Sequence, residues 1–265
     1  MGLSMDVLAL LSGVLVGFVL GLIGGGGSVF AAPLLVYFVG VTDVHIAIGT
    51  SALAVAANAL VNLLGHARAG HVKWRCASVF AASGVLGAIV GSTLGKQFDG
   101  QKLLLLFGML MIVIAAQMFF KKPAEHGCEI ELNASTAPKM LPLLVLYGLC
   151  VGLLSGFFGI GGGFLVVPGI LAATGMSILS AIGSSLVSVT AFGATTAANY
   201  AFSGMIDWRI AGFLLAGGVA GGLGGGALAA HLSVRKQALS KVFAVLVAGV
   251  GCYVVFRDAL VLLGR

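Results

Sequence analysis

Charge is what this sequence has least of. Of 265 residues, 14 are Lys or Arg and 8 are Asp or Glu, so 8% are charged, where soluble domains carry roughly 25%. That shortage excludes an ordinary water-soluble domain, as does a hydrophobic share of 60%. Acidic residues are scarcer still inside the apolar runs. Asp6, Asp43, Asp99, Asp207 and Asp258 fall at segment ends or in loops, so the Asp/Glu relay of many proton-driven carriers is not expected. A cation carrier, which would want carboxylates, is disfavoured for the same reason. The four cysteines, Cys76, Cys128, Cys150 and Cys252, form no CxxC pair and no Cys/His ligand spacing, so no metal site and no cofactor are expected. No nucleophile, base and acid stand together, which argues against an enzyme. The start carries no Lys or Arg ahead of its apolar stretch, unlike a cleaved signal peptide, so the first segment is expected to be kept as a helix. The net charge of +6 is spread too thinly for a nucleic-acid surface.

What the chain does have is apolar length. Ten segments can be marked, at about 5–23, 28–40, 45–65, 75–96 and 102–120, then 141–158, 163–174, 178–202, 208–231 and 238–262. Several reach the 18–20 residues that span hydrocarbon. The fold class is therefore an all-α polytopic integral membrane protein in a cell membrane, with the lipid bilayer as its surroundings. Residues 121–140 are the polar linker between residues 1–120 and 141–265.

Glycine is abundant, with 42 residues, and its placement repeats. Gly24-Gly25-Gly26-Gly27-Ser28, followed by Pro33, returns 135 positions later as Gly159-Ile160-Gly161-Gly162-Gly163, followed by Pro168. Val16-Gly17 and Gly40 return at the same offset. One deletion later, at an offset of 134, Ala47-Ile48-Gly49-Thr50-Ser51 matches Ala181-Ile182-Gly183-Ser184-Ser185. Trp74-Arg75 then matches Trp208-Arg209, and Gly84, Gly87 and Gly91 match Gly218, Gly221 and Gly225. The chain is two homologous repeats.

If all ten segments cross, the repeats are inverted. If each short second segment merges with the first, there are eight crossings and the repeats are parallel. Either reading divides the basic residues nine to five between the faces, so the excess of Lys and Arg expected inside does not choose. The short second segments, read as half-helices that begin at the glycine breaks, favour inversion.

Glycine weakens a helix by about 1 kcal/mol relative to Ala, and opened backbone in a membrane must be buried in protein or line a cavity. Matched breaks in two halves point to a transport site. A helix starting at Ser28 or Gly163 offers unpaired N–H groups and the positive end of its dipole, a place for an anion. The candidate binding residues are Gly24, Gly25, Gly26, Gly27 and Ser28 with Gly161, Gly162 and Gly163. Thr50, Ser51, Ser184 and Ser185 are hydroxyls in matching places, and Asn58 and Asn62 continue the polar face in the first repeat. His66 and Arg68, which have no charged counterpart in the second repeat, would form a vestibule that attracts anions. The ordinary alternative for the hydroxyls and amides is hydrogen bonding between helices. For Gly84, Gly87, Gly91 and their mates it is close helix crossing.

The doubled Gly-Gly-Gly-Gly-Ser…Pro element, the Gly-Thr-Ser that follows and the stretch from His66 through Arg68 and Gly70 to Trp74-Arg75 resemble the TauE/SafE sulfite exporter family. It is also called the 4-toluenesulfonate uptake permease family. The resemblance covers nearly the whole chain outside the linker. It implies a transporter, in a bacterial inner membrane, whose substrate is a small sulfur-containing anion such as sulfite or an organosulfonate. In the second repeat Ile160 replaces a glycine, Gly163 replaces the serine, and Tyr200 and Phe202 replace His66 and Arg68, so an asymmetric site is expected. Function is therefore read as secondary transport by alternating access. The rivals are a passive anion channel or permease for another anion, and a sulfur-relay or scaffold subunit working through cysteines. A homodimer is compatible with this reading.

Overall fold

A computed structural model describes residues 2–23, 25–120, 137–231 and 236–263; the linker residues 121–136 and Gly24 lie outside them. All regular structure among the described residues is helical, as backbone in hydrocarbon demands, because only internal hydrogen bonds can satisfy it there. The first repeat holds α1 (Gly2–Ile23), a short segment, α3 (Val44–Arg68), α4 (Trp74–Gln97) and α5 (Gly100–Phe120). The second holds α6 (Ala137–Phe158), α7 (Gly163–Thr174), α8 (Ile178–Phe202), α9 (Trp208–His231) and α10 (Lys236–Leu263). Among the described residues, seven helices are long and apolar enough to cross a membrane, and residues 26–39 and 163–174 form shorter apolar helical segments. α6 begins at Ala137, so the last residues of the expected linker are already helical.

Capping residues account for the helix starts. Asp43 accepts N–H bonds from His45 and Ile46, Asp99 from Gln101 and Lys102, and Asp207 from Arg209 and Ile210. Each carboxylate satisfies donors that the first helical turn cannot. α3 and α8 end alike: Gly70 and Gly204 adopt left-handed backbone, and the N–H groups of His71 and Met205 reach back to the carbonyls of His66 and Tyr200.

The repeats exchange partners. α1 packs along α9 and α6 along α4, through glycines that let backbones touch. A methyl group on Gly17 would run into the carbonyl of Gly218, and one on Gly152 into that of Gly84. Gly217 and Gly221 lie against Leu10 and Val14, and Gly225 against Phe18, so α1 and α9 run in the same sense. The glycines read as crossing residues do serve that purpose.

α3 and α8 form the central pair and run in opposite senses. The His45 and Tyr200 rings lie 6.3 Å apart, Gly193 sits on Ala52 and Ala56, and Gly183 meets the backbone of His71. α5 and α10 pack together at the periphery. Both short segments turn back along the helix before them. Gly27 lies against the backbone of Val16 and Leu20, with Leu35 and Val39 clustered near Ala9. Gly162 likewise lies against Ser155, and Gly169 against Val151.

Candidate functional site

The two glycine breaks are built differently. In the first repeat the chain forms a 3-10 turn over Gly25–Phe30, α2 over Ala31–Leu34, and one turn of π-helix over Leu35–Val39. No helix starts at Ser28; it sits inside the 3-10 turn, fully buried. Consecutive glycines permit that tighter winding. In the second repeat the break stays open. Gly159, Gly161 and Gly162 all have left-handed backbone, with φ of 67°, 66° and 72°, which only glycine adopts without strain. α7 starts at Gly163, and its first hydrogen bonds run from Leu165 and Val166 to the Gly162 carbonyl. The N–H groups of Gly163 and Phe164 therefore precede the helical ladder.

The breaks meet: the 3-10 turn packs against α7. Around them stand the middles of α3 and α8. Gly161 faces Val55, Val189 and Gly193, while Gly162 faces Ser155 and Phe192. Asn58 is buried and lies against Gly218 of α9, with Asn62 beside Gly222. Phe192 holds the matching place in the second repeat, stacked on Phe80 with ring centroids 6.3 Å apart. The site is asymmetric, with an amide on one side and a ring on the other.

The hydroxyls divide into two kinds. A Ser or Thr in an apolar helix ordinarily donates to a carbonyl three or four residues back. Ser51, Ser83, Ser92, Thr174, Ser185, Thr190 and Thr195 all do. Ser155, Ser188 and Thr196 do not. Each is fully buried, and its oxygen has no hydrogen-bond partner. Ser155 touches Gly162; Ser188 and Thr196 lie one turn to either side of Phe192. Asn58 Oδ1 is also buried without a partner. Buried polar atoms are rarely left so. Ser155 was missed by pattern reading because nothing in a sequence marks which hydroxyl will leave its own helix unbonded.

The Gly-Thr-Ser and Gly-Ser-Ser residues are placed elsewhere. Thr50 Oγ1 accepts the N–H of Asp207 at 3.0 Å, and Ser184 Oγ accepts the N–H of Lys73 at 2.9 Å. Thr50 and Ser184 are repeat mates, and so are Lys73 and Asp207, so one bond is made twice, each time across the repeats. Ser51 and Ser185 bond their own helices. Thr50 and Ser184 lie towards opposite ends of the α3–α8 pair, while Gly159 meets Ile48 and Gly161 meets Val55, about one turn to either side of Ser51. Asn62 donates to the Asn58 carbonyl at 2.9 Å. His66 and Arg68 lie at the end of α3, the His66 ring 5.7 Å from that of His71 and Arg68 exposed. A surface cleft lined by Asp43, His45, Asp99 and Gln101 opens at the other end.

Asp258 lies five residues before the end of α10, where the sequence places it, and its side chain is buried against Tyr37. Asp6 is buried as well, paired with Arg209 at 2.6 Å. Cys150 and Cys252 are exposed on α6 and α10, and Cys76 is buried on α4. Among the described residues no three His, Cys, Asp or Glu side chains gather as metal ligands.

Comparison with known proteins follows the same lines. The family model described as sulfite exporter TauE/SafE matches residues 9–254. A probable membrane transporter protein of Xylella fastidiosa (strain 9a5c) is 49% identical over 247 residues, 93% of this chain and 94% of its own length. The probable membrane transporter protein YunE of Bacillus subtilis is 24% identical over 95% of this chain and 97% of its own. The probable membrane transporter protein MJ0441 of Methanocaldococcus jannaschii is 30% identical over 65% of each. No solved structure matches. With a multi-pass helical architecture, paired breaks and a family match across nearly its whole length, this chain belongs to the TauE/SafE sulfite exporter family of membrane transporters.

Proposed function

We propose that the protein is a secondary transporter, without catalytic activity, that moves a small sulfur-containing oxyanion such as sulfite or an organosulfonate across the cell inner membrane by alternating access. The observation that carries this reading is the meeting of two glycine breaks beside buried hydroxyls that lack partners. The α7 amino end offers the Gly163 and Phe164 N–H groups and the positive end of a helix dipole. Ser155 and Ser188 offer donors that the protein itself does not use. Asn58 can turn its amide to present N–H groups, and Ser28 and Gly25–Gly27 close the first-repeat side. An anion that presents three oxygens on one sulfur suits such scattered, uncharged donors.

The opposed α3 and α8, the parallel pairs α1–α9 and α4–α6, and the turned-back short segments support inverted repeats with ten segments. In that arrangement the face that holds Arg68, Lys73, Arg75 and Lys139 is the cytoplasmic one, by the nine-to-five division of basic residues in the sequence. His66 and Arg68 form the cytoplasmic vestibule. The Thr50–Asp207 and Ser184–Lys73 bonds become latches at the two ends of the site, one released at a time.

Thermal unfolding of the detergent-purified protein with sulfite, sulfate, thiosulfate, sulfoacetate, taurine or chloride tests the substrate class. A ligand of the native state raises its stability, by about 2.7 kcal/mol at a hundredfold excess over Kd. Stabilisation confined to sulfur oxyanions supports the reading. Stabilisation by another anion alone overturns the substrate class, and transport without trans-stimulation by internal substrate points to a channel.

A further inference from the structure

Of the two buried carboxylates among the described residues, Asp6 is neutralised by Arg209 and Asp258 is not. Asp258 is 5% exposed, and its hydrogen-bond donor is the hydroxyl of Tyr37, at 2.8 Å. The adjacent Arg257 makes no hydrogen bond to it: its guanidinium lies over the Tyr37 ring, 4.8 Å from the centroid, and donates to the Tyr253 hydroxyl at 3.3 Å. Tyr253 meets Tyr37 edge to face, ring centroids 5.6 Å apart. α5 brings Asp99 and Lys102 to this end of the protein, but both are exposed and Asp99 caps its own helix. Among the described residues Asp258 therefore faces a phenol, a neighbouring arginine and a second phenol, with no ion pair. Within a membrane span an ionisable residue so placed is costly to keep and marks function.

Tyr37 lies in the π-helical turn Leu35–Val39, at the far end of the segment that begins with the 3-10 turn holding Ser28. The two α10 and short-segment side chains thus join a titratable group to the backbone of the first break. One carboxylate and one phenol supply too few oxygens for a metal cation, which takes about six or more; they suffice for a proton.

We propose that Asp258 is the proton-coupling site of the transporter, and that Tyr37 passes its protonation state to the segment 25–39. The step is simple in atoms: the carboxylate takes a proton from hydronium at its end of the protein and becomes a neutral acid, Tyr37 keeps its own hydrogen, and the proton is given up to water of the opposite face after the short segment has moved. Ionised, Asp258 holds Tyr37 through a charge-assisted hydrogen bond, the stronger kind; protonated, it holds Tyr37 only weakly, and the short segment is released to move. The coupling rests on the transport reading above, but proton binding at Asp258 does not.

Infrared titration of the purified protein, with no substrate, separates the two. The parent should show a protonated-carboxyl stretch that appears as pH falls, vanishes in Asp258→Asn, and shifts in frequency in Tyr37→Phe, which removes the Tyr37 hydrogen bond. A band unchanged in Asp258→Asn overturns the proposal. In proteoliposomes the parent should accumulate labelled sulfite under a pH gradient. Asp258→Asn should keep sulfite exchange at equal concentrations and lose the gradient's effect at least tenfold. Sulfite movement in the parent that ignores the gradient, or a gradient effect retained by Asp258→Asn, refutes coupling. A parent that moves no sulfite while its infrared band behaves as expected refutes the substrate and leaves the proton site standing.

Discussion

Replacing Ser155 by alanine should change stability and binding in opposite directions. Ser155 Oγ is buried against Gly162 and bonded to nothing. A buried polar group left unsatisfied costs about 1–3 kcal/mol, and membrane helices soften such costs to about 1 kcal/mol. Ser155→Ala removes one oxygen, opens no large cavity, and deletes that cost. The ligand-free protein should therefore become more stable by about 1 kcal/mol. The same change removes a donor from the anion, and a hydrogen bond to a charged group is worth about 1.5–3 kcal/mol. At 1.4 kcal/mol per decade, affinity should fall about 10–100-fold. Thermal unfolding without ligand, followed by titration with whichever anion stabilises the parent, reads both numbers on one sample. Ser185→Ala is the control, since that hydroxyl already bonds Ile182 and its loss should move neither number much. If Ser155→Ala destabilises the ligand-free protein, the hydroxyl had a partner after all. If affinity stays within twofold, it does not touch the anion.

Other expectations follow from single contacts. Thr50→Val and Ser184→Ala each strip the acceptor from a cross-repeat N–H; each should cost about 1–2 kcal/mol in thermal unfolding, and very unequal losses would mean that the two ends are not built alike. Gly17→Ala and Gly152→Ala put a methyl into a facing carbonyl and should cost about 1–3 kcal/mol or more. Gly212→Ala on the open side of α9 meets nothing and should stabilise that helix by up to about 1 kcal/mol, so a loss there as large as at Gly17 would show that the crossings are not what matters. Arg68→Gln should slow anion entry from the side on which α3 ends at low salt and lose that effect near 1 M salt, where the Debye length is about 3 Å; a rate unchanged at low salt would return Arg68 to setting topology.

Sequence reading reached the helices, the repeat and the breaks because each leaves a local mark: apolar length, recurring glycines, capping aspartates. It reached the close crossings too, since ridges such as Gly84, Gly87 and Gly91 can serve little else. It did not reach which helices cross. A glycine ridge on α1 says that some backbone comes near, and only folding shows that this is α9 of the other repeat. The expected start at Ser28 failed because glycine permits a 3-10 turn as readily as a break. Thr50 and Ser184 were rightly paired with each other, yet their partners, Asp207 and Lys73, lie more than a hundred residues away. The burial of Asp258 at the end of its segment is hidden for the same reason: Tyr37, which binds it, is 221 residues distant. Local pattern carries identity and spacing; it does not carry long-range neighbours.

The exchange of partners between repeats also sets an order of events during synthesis. α1 enters the membrane before α9, with Gly13 and Gly17 bared to lipid, and that mate is made about 200 residues later. At about 5–20 residues per second, that is a wait of roughly 10–40 s. α4 waits a shorter time for α6. The amino-terminal half therefore has no finished form of its own, and the glycine surfaces that make the final assembly tight are, until α9 arrives, the surfaces on which a quality-control protease or a wrong helix would act.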